Sequence, residues 1–416
     1  MPITGSGSDK ITVTFSPEEA SERIVAIDVT RAVALLAVLQ VNLFFYSGQI
    51  YSEWAKAAIA FGWGGKALDW LINAFLNGRG LGLFSMLFAV GLSIQMERAQ
   101  ARSVGYWPFA FRRLGALALI GIFHSLVIWN GDILVPYAFL GLIILPLLRA
   151  RPRTIFLALF LSLILSLTYG YLLRWLRAPD ELFFSHWSTQ LVWLKQMADQ
   201  AFGHGTWWEA ARWRAWECGN LHLSINVMTL FDCLPFFISG LILWRSRLLQ
   251  NAISRHPFLL RSFHALFWPS MLIIIATQLT DWISESWWNF WSGIPMRLAM
   301  KLGELACVVS YLFGIMVIFQ RPWWGKHLRK LAPMGRMSLT NYLTQSLVFT
   351  WVFCGFGAGF WNRVSLSMIV WIGMAFFAVQ ILWSRWWLGL FRFGPAEWLW
   401  RSMSYGRWQR LRRPKS

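Results

Sequence analysis

What most constrains this chain is a set of long, nearly uncharged apolar stretches: Val33 to Phe45, Leu140 to Leu148 and Ile155 to Leu167 are almost continuously hydrophobic. Stretches of this kind are read as membrane-spanning helices, whereas a transmembrane barrel would show short segments of alternating polarity. Composition agrees. Of the 416 residues 57% are apolar and only 14% charged, where a soluble domain carries about 25% charged residues. Apolar windows bounded by charged or turn-forming residues number ten, at approximately 25–47, 80–96, 109–129, 132–149, 154–174, 224–244, 262–280, 302–320, 337–356 and 365–384. The fold class expected is therefore all-α: a polytopic membrane protein of about ten transmembrane helices around a central cavity.

Charge gives that count an internal check. With the N-terminus on the cytoplasmic side, 26 Lys and Arg fall in the inner segments and ten in the outer ones, the asymmetry that the positive-inside rule predicts for ten spans with both ends inside. The net charge of +19 is then inner-face anchoring against the lipid bilayer, and no nucleic-acid partner is expected. Residues 1–22 read as a cytoplasmic segment without a signal peptide, 23–390 as one transmembrane domain, and 391–416 as a basic cytoplasmic tail. The outer segment 175–222 is crowded with Trp187, Trp193, Trp207, Trp208, Trp213 and Trp216, which points to an interfacial helix or a lid. An amphipathic stretch, Ala67 to Leu76, lies in the outer segment 48–79. The four cysteines are scattered and read as packing thiols, with no metal site or disulfide framework.

Ionisable and amide groups within spans are costly in hydrocarbon and mark candidate sites. In the first span Asp28, Arg31 and Asn42 fall within about 60° of one another at 100° per residue. Asp28 and Arg31 can pair with each other near the headgroups or take part in binding. The third span carries Arg112, Arg113 and His124, then Trp129-Asn130-Gly131-Asp132. Asn-Gly signals a tight turn, so spans three and four form a helical hairpin with Asp132 near His124. There the carboxylate can fix the imidazole tautomer for acid-base work, or it can cap the fourth span while a carbonyl satisfies the histidine. Asp232 in the sixth span, and Lys301 with Glu304 in the eighth, more often stabilise a bundle than touch a substrate. Asn341 and Gln345 share one face of the ninth span with Ser338, suited to interhelical hydrogen bonds. No P-loop, zincin, nucleophile-elbow or paired-cysteine motif is present in the sequence.

Arg23-Ile24-x-x-Ile27-Asp28-x-x-Arg31, the Asn42 that follows, Phe84-x-x-Leu87-Phe88-x-x-Gly91, Arg112-Arg113 with Gly121-x-x-His124, Gly131-Asp132-Ile133-Leu134-x-x-Tyr137-Ala138, Leu339-Thr340-Asn341-Tyr342-x-x-Gln345-Ser346 and Gly394-Pro395-x-Glu397-Trp398-x-Trp400-Arg401 resemble the YeiB-like bacterial inner-membrane proteins, in the order and spacing of that family. The family carries a domain of unknown function. It looks related to a wider superfamily of transmembrane acyltransferases that includes the lysosomal heparan-glucosaminide acetyltransferase and bacterial glycan O-acyltransferases. The resemblance implies a multi-pass inner-membrane bundle with acyl-CoA entering from the cytoplasm and an acceptor hydroxyl or amine outside. Many glycan O-acyltransferases carry a histidine late in the first span, where this chain has Asn42, so that residue is not carried over.

The function expected is transfer of a short acyl group from cytoplasmic acyl-CoA to an extracytoplasmic acceptor such as a glycan or lipid-linked sugar. His124 and Asp132 are the catalytic candidates. Asp28, Arg31, Asn42, Arg112, Arg113, Trp129, Tyr137, Asn341 and Gln345 are the substrate-binding candidates, with inner-end arginines holding CoA phosphates. No metal or covalent cofactor is expected, and assembly as a homo-oligomer stays open. The alternative is a small-solute transporter or exporter using Asp28, Arg31 and Asp232.

Overall fold

The computed structural model describes residues 25–48, 63–101, 105–177, 187–252, 254–283 and 294–413. The expectations for residues 1–22 lie outside them. Every expected span is a helix: α1 Val25–Tyr46, α3 Arg79–Ala101, α4 Trp107–Phe123, α5 Leu134–Ile144, α6 Pro152–Arg177, α9 Leu223–Arg245, α10 His256–Ile283, α11 Ile294–Phe319, α14 Ser338–Phe353 and α15 Leu366–Leu390. Shorter helices connect them: α2 Trp63–Phe75, α7 Trp187–Ala198, α8 Trp207–Glu217, α12 Pro322–Leu328, α13 Ala332–Arg336 and α16 Pro395–Tyr405. Among the described residues there is no strand, only one isolated bridge between Phe391 and Arg412. Seven described helical segments are long and apolar enough to cross a membrane. The chain is an all-α, multi-pass membrane protein.

Side-chain placement follows from having lipid rather than water outside. On α6, Phe156, Leu157, Phe160 and Leu161 are exposed while Ser162 and Ser166 are buried, because hydrocarbon tolerates the apolar face and only other helices can satisfy the hydroxyls. α1 is the central element and packs on α3, α14 and α15. Small residues let backbones approach where they cross. A Cβ on Gly240 of α9 would lie 2.3 Å from the Met86 carbonyl oxygen of α3. A Cβ on Gly335 of α13 would lie 1.8 Å from the Asp28 carbonyl oxygen. The Ala67–Leu76 stretch is helical within α2 up to Phe75, and all four cysteines are free, three of them buried.

Residues 391–413 are not a free basic tail. α16 packs against α4, and its Glu397 reaches the start of α14, accepting from the Leu339 N–H at 2.7 Å, the Thr340 N–H at 3.1 Å and the Thr340 hydroxyl at 2.5 Å. No side chain of α14 itself caps that helix, so a carboxylate 57 residues on satisfies its orphan donors. The late Gly-Pro-x-Glu-Trp block and the Leu-Thr-Asn-Tyr block are therefore two halves of one junction. Trp398 and Trp408 stack at 5.1 Å and close the segment on itself.

Candidate functional site

The hairpin between α4 and α5 forms, but not through a tight Asn-Gly turn: residues 129–133 are an irregular link with a bend at Asn130 and no positive φ at Gly131. After Phe123 the helix widens into a π turn, His124–Ile128, ended by Trp129 in an extended conformation with its N–H on the His124 carbonyl at 2.8 Å. Such widened turns cluster at functional positions. Gly131 is needed sterically, since a Cβ there would stand 2.3 Å from the Trp129 ring. Asp132 then does two things at once. Its Oδ2 accepts the Val135 N–H at 2.8 Å in the manner of a cap on α5. Its Oδ1 meets His124 Nδ1 at 2.9 Å. An ionised carboxylate only accepts, so the proton between them sits on Nδ1 and the Nε2 lone pair is left available. His124 is fully buried, and Nε2 has no hydrogen-bond partner among the described residues.

A cavity of about 550 Å³ opens at the end of the bundle that carries Asp28. Five arginines line it, Arg31, Arg98, Arg113, Arg336 and Arg401, against three carboxylates, Asp28, Glu97 and Glu397. Deeper in, the wall turns apolar with Leu35, Val38, Phe84, Phe88 and Leu117, and it ends on Tyr137 and Tyr342. Asp28 and Arg31 pair at 3.1 Å. Arg113 lies over the Trp400 ring at 3.5 Å, while the Trp400 indole N–H donates to the Arg113 carbonyl at 2.8 Å. Tyr137 shares a hydrogen bond of 2.9 Å with Ser85 and donates to the Leu81 carbonyl. Tyr342 links cavity and hairpin: it lines the cavity, its ring centroid is 5.2 Å from that of His124, and its hydroxyl donates to the Gly131 carbonyl at 3.3 Å.

The other candidates are used elsewhere. Arg112 is exposed and outside the cavity lining, because one residue along a helix turns the side chain by about 100°. Asn42 hydrogen-bonds the Tyr46 hydroxyl, which also pairs with Ser346 at 2.8 Å. Asn341 donates to Ser384 at 2.9 Å and Gln345 to Gln380 at 2.8 Å, while Gln380 donates back to the Asn341 carbonyl. These amides join α14 to α15 rather than face the cavity. Trp129 packs beside His124 and at 4.3 Å from Tyr46. Asp232 and Lys301 lie 2.7 Å apart, with Glu304 on the same ammonium at 3.2 Å, a structural triad. The sequence reading did not single out Arg98, Arg336, Arg401 or Glu397 as site residues. Only the Glu-Trp-x-Trp-Arg spacing, which sets Glu397 and Arg401 four apart, pointed to the last two.

At the opposite end, the Trp-rich segment covers the hairpin. Arg214, 1% exposed, donates to the Leu126 and Val127 carbonyls at 3.2 and 3.1 Å, groups left without helical partners by the π turn and the end of the helix. Glu217 accepts from Asn130, so two residues three apart on α8 hold both sides of the turn. Trp213 and Trp216 stack on each other at 4.7 Å, and Trp193 packs edgewise on both.

Residues 243–407 match the family described as "Protein of unknown function (DUF418)". The chain is 29% identical to the uncharacterized protein YxaH of Bacillus subtilis (strain 168), over 95% of this chain and 97% of that one. It is likewise 29% identical to the uncharacterized protein YeiB of Escherichia coli (strain K12), over 92% of this chain and 96% of that one. An uncharacterized 39.9 kDa protein of Bacillus acidopullulyticus is 23% identical over 94% of this chain. No solved structure matches. The chain is thus similar over nearly its whole length to the bacterial proteins YxaH and YeiB, and over residues 243–407 to the DUF418 family.

Proposed function

We propose that this protein is a transmembrane acyltransferase of the bacterial inner membrane, with both termini cytoplasmic, that moves a short acyl group from acyl-CoA to an extracytoplasmic acceptor. One observation carries the reading: a single cavity runs from an arginine-rich mouth to Tyr342, which packs on the His124–Asp132 pair. Arginines are suited to bidentate contacts with phosphate. A space of about 550 Å³ takes a drug-sized body, not a whole nucleotide thioester. The acyl group and thiol arm would fill the apolar depth, and the phosphates would stay at the mouth with Arg98, Arg113, Arg336 and Arg401.

In the transfer, Tyr342 turns aside and His124 Nε2 takes the proton of the acceptor hydroxyl. The oxygen then forms its bond to the thioester carbonyl carbon, the carbon–sulfur bond breaks, and the imidazolium returns a proton to the departing thiolate. Asp132 holds the ring and stabilises its charged form. The acceptor reaches the site from the end covered by α7 and α8.

Neighbouring arginines give the test. Acetyl-CoA binding to purified protein in detergent should weaken about tenfold or more in Arg113→Gln and stay unchanged in Arg112→Gln, which lies outside the cavity. Equal binding in both variants, or solute uptake by proteoliposomes lacking CoA, would instead favour transport.

A further inference from the structure

The end of the molecule that carries Asp28 has a second recess, whose interpretation does not rest on the acyltransferase reading. It lies where the first turn of α1 meets the junction of α11 and α12 and encloses about 650 Å³. Its floor is apolar, built from Val25, Leu249, Met316 and Phe319, and its rim carries Arg321, Lys326 and Arg329 with no carboxylate in the lining. All three cations are exposed. None has an ion-pair partner among the described residues. Like charges gathered around a recess repel one another, so the arrangement is complete only with an anion between them.

Its place in the fold says what kind of anion. The recess sits at the end of the Met296–Phe319 span, at the boundary of the hydrocarbon. Trp323 and Trp324 beside it are 61% and 53% exposed, as indoles at a membrane interface are. The Arg329 guanidinium lies 4.7 Å from the Phe319 ring centroid, which holds that charge over the apolar floor. α12 is pressed onto the end of α11, since a Cβ on Gly325 would fall 2.3 Å from the Phe319 carbonyl oxygen. A ligand with a phosphate between three cations and an apolar body beneath is an amphiphile. We propose that this recess is a headgroup site for one anionic phospholipid, its phosphate between Arg321, Lys326 and Arg329 and its acyl chains along Met316 and Phe319. Gln250 lines both this recess and the arginine-rich cavity, so the lipid stands against the wall of the main site.

The test is native mass spectrometry of the whole protein in mixed micelles containing phosphatidylglycerol and phosphatidylcholine in equal amounts. At about 1 kcal/mol per cation near an anionic surface, the R321Q/K326Q/R329Q variant should lose about a hundredfold in phosphatidylglycerol affinity. R392Q/R410Q/R413Q, with the same charge change elsewhere, should bind as the parent does. Glycerol phosphate, added free, should fail to displace the lipid, because it lacks the apolar body. Equal retention of the two lipids by the parent, unchanged phosphatidylglycerol binding by R321Q/K326Q/R329Q, or displacement by glycerol phosphate at millimolar concentration would each overturn the proposal, the last by making the recess a site for soluble phosphates.

Discussion

Glu397 offers the sharpest stability experiment, because one carboxylate holds the start of α14. Replacing it with Ala leaves three donors, the Leu339 N–H, the Thr340 N–H and the Thr340 hydroxyl, without their acceptor. A buried donor left unsatisfied costs about 1–3 kcal/mol. Glu397 lines the cavity and water can enter once the side chain is gone, so the low end applies, about 3 kcal/mol in all. Glu397→Gln keeps one carbonyl oxygen for the backbone N–H groups, and the Thr340 hydroxyl can rotate to accept from the amide. Its cost is smaller and depends on pH. Burial pushes the Glu397 carboxyl above the ordinary glutamate range, against the hydrogen bonds that pull it down. The folded state therefore holds the proton more tightly than the unfolded one. The associated stability is complete below the ordinary glutamate pKa and is lost as pH rises through the raised value. Thermal unfolding in detergent from pH 4 to 8 reads this directly: the advantage of the parent over Glu397→Gln should shrink as pH rises. A Glu397→Ala variant within about 0.5 kcal/mol of the parent, or a pH-independent difference for Glu397→Gln, refutes the reasoning.

Arg214→Met should leave the Leu126 and Val127 carbonyls unpaired at a cost of about 2 kcal/mol, and hydrogen exchange over residues 124–130 should quicken; unchanged exchange would show that α8 does not hold the turn. Gly335→Ala places a methyl 1.8 Å from the Asp28 carbonyl oxygen, so about 2–3 kcal/mol should be lost by overpacking, measurable as a lower unfolding midpoint. Lys301→Met leaves Asp232 and Glu304 facing each other without the ammonium between them. Since both carboxylates are about two-fifths exposed, the loss should be about 2 kcal/mol rather than the 3–5 of a fully buried pair, and adding Glu304→Gln should recover part of it.

The spans were legible because each is a long apolar run in a chain otherwise punctuated by charge, and the His124–Asp132 hairpin because a short polar break, Asn130-Gly131-Asp132, between two apolar runs forces the chain to reverse. α16 was not. Eleven residues with two tryptophans and an arginine look like a basic tail, and only the buried Glu397 reveals that they close over α4 and α14. The cavity was half legible. Arg31 and Arg113 stood out as charges inside apolar windows, while Arg98, Arg336 and Arg401 sit in connecting segments remote in sequence and meet only in the folded bundle. Helical rotation explains why Arg113 lines the cavity and Arg112 does not, since one step along α4 turns the side chain by about 100°. Asn42, Asn341 and Gln345 were visible as intramembrane amides, but spacing alone does not separate an amide that binds a ligand from one that joins two helices. Each of these three has another helix or a neighbouring tyrosine as its partner.

The central claim, that His124 and Asp132 act on a thioester held in the arginine-lined cavity, is tested most directly by following acyl transfer and acyl-CoA binding in the same preparations. Inverted membrane vesicles containing the parent, His124→Ala or Asp132→Asn are given radiolabelled acetyl-CoA outside, and label entering lumenal glycan or lipid is counted. The parent should transfer label. His124→Ala should bind acetyl-CoA with parental affinity and transfer none, and Asp132→Asn should keep the cap on Val135, fold normally and turn over at least a hundredfold more slowly, with the double variant no worse than His124→Ala, as expected of residues that work as a unit. Transfer at the parental rate by folded His124→Ala would contradict the account.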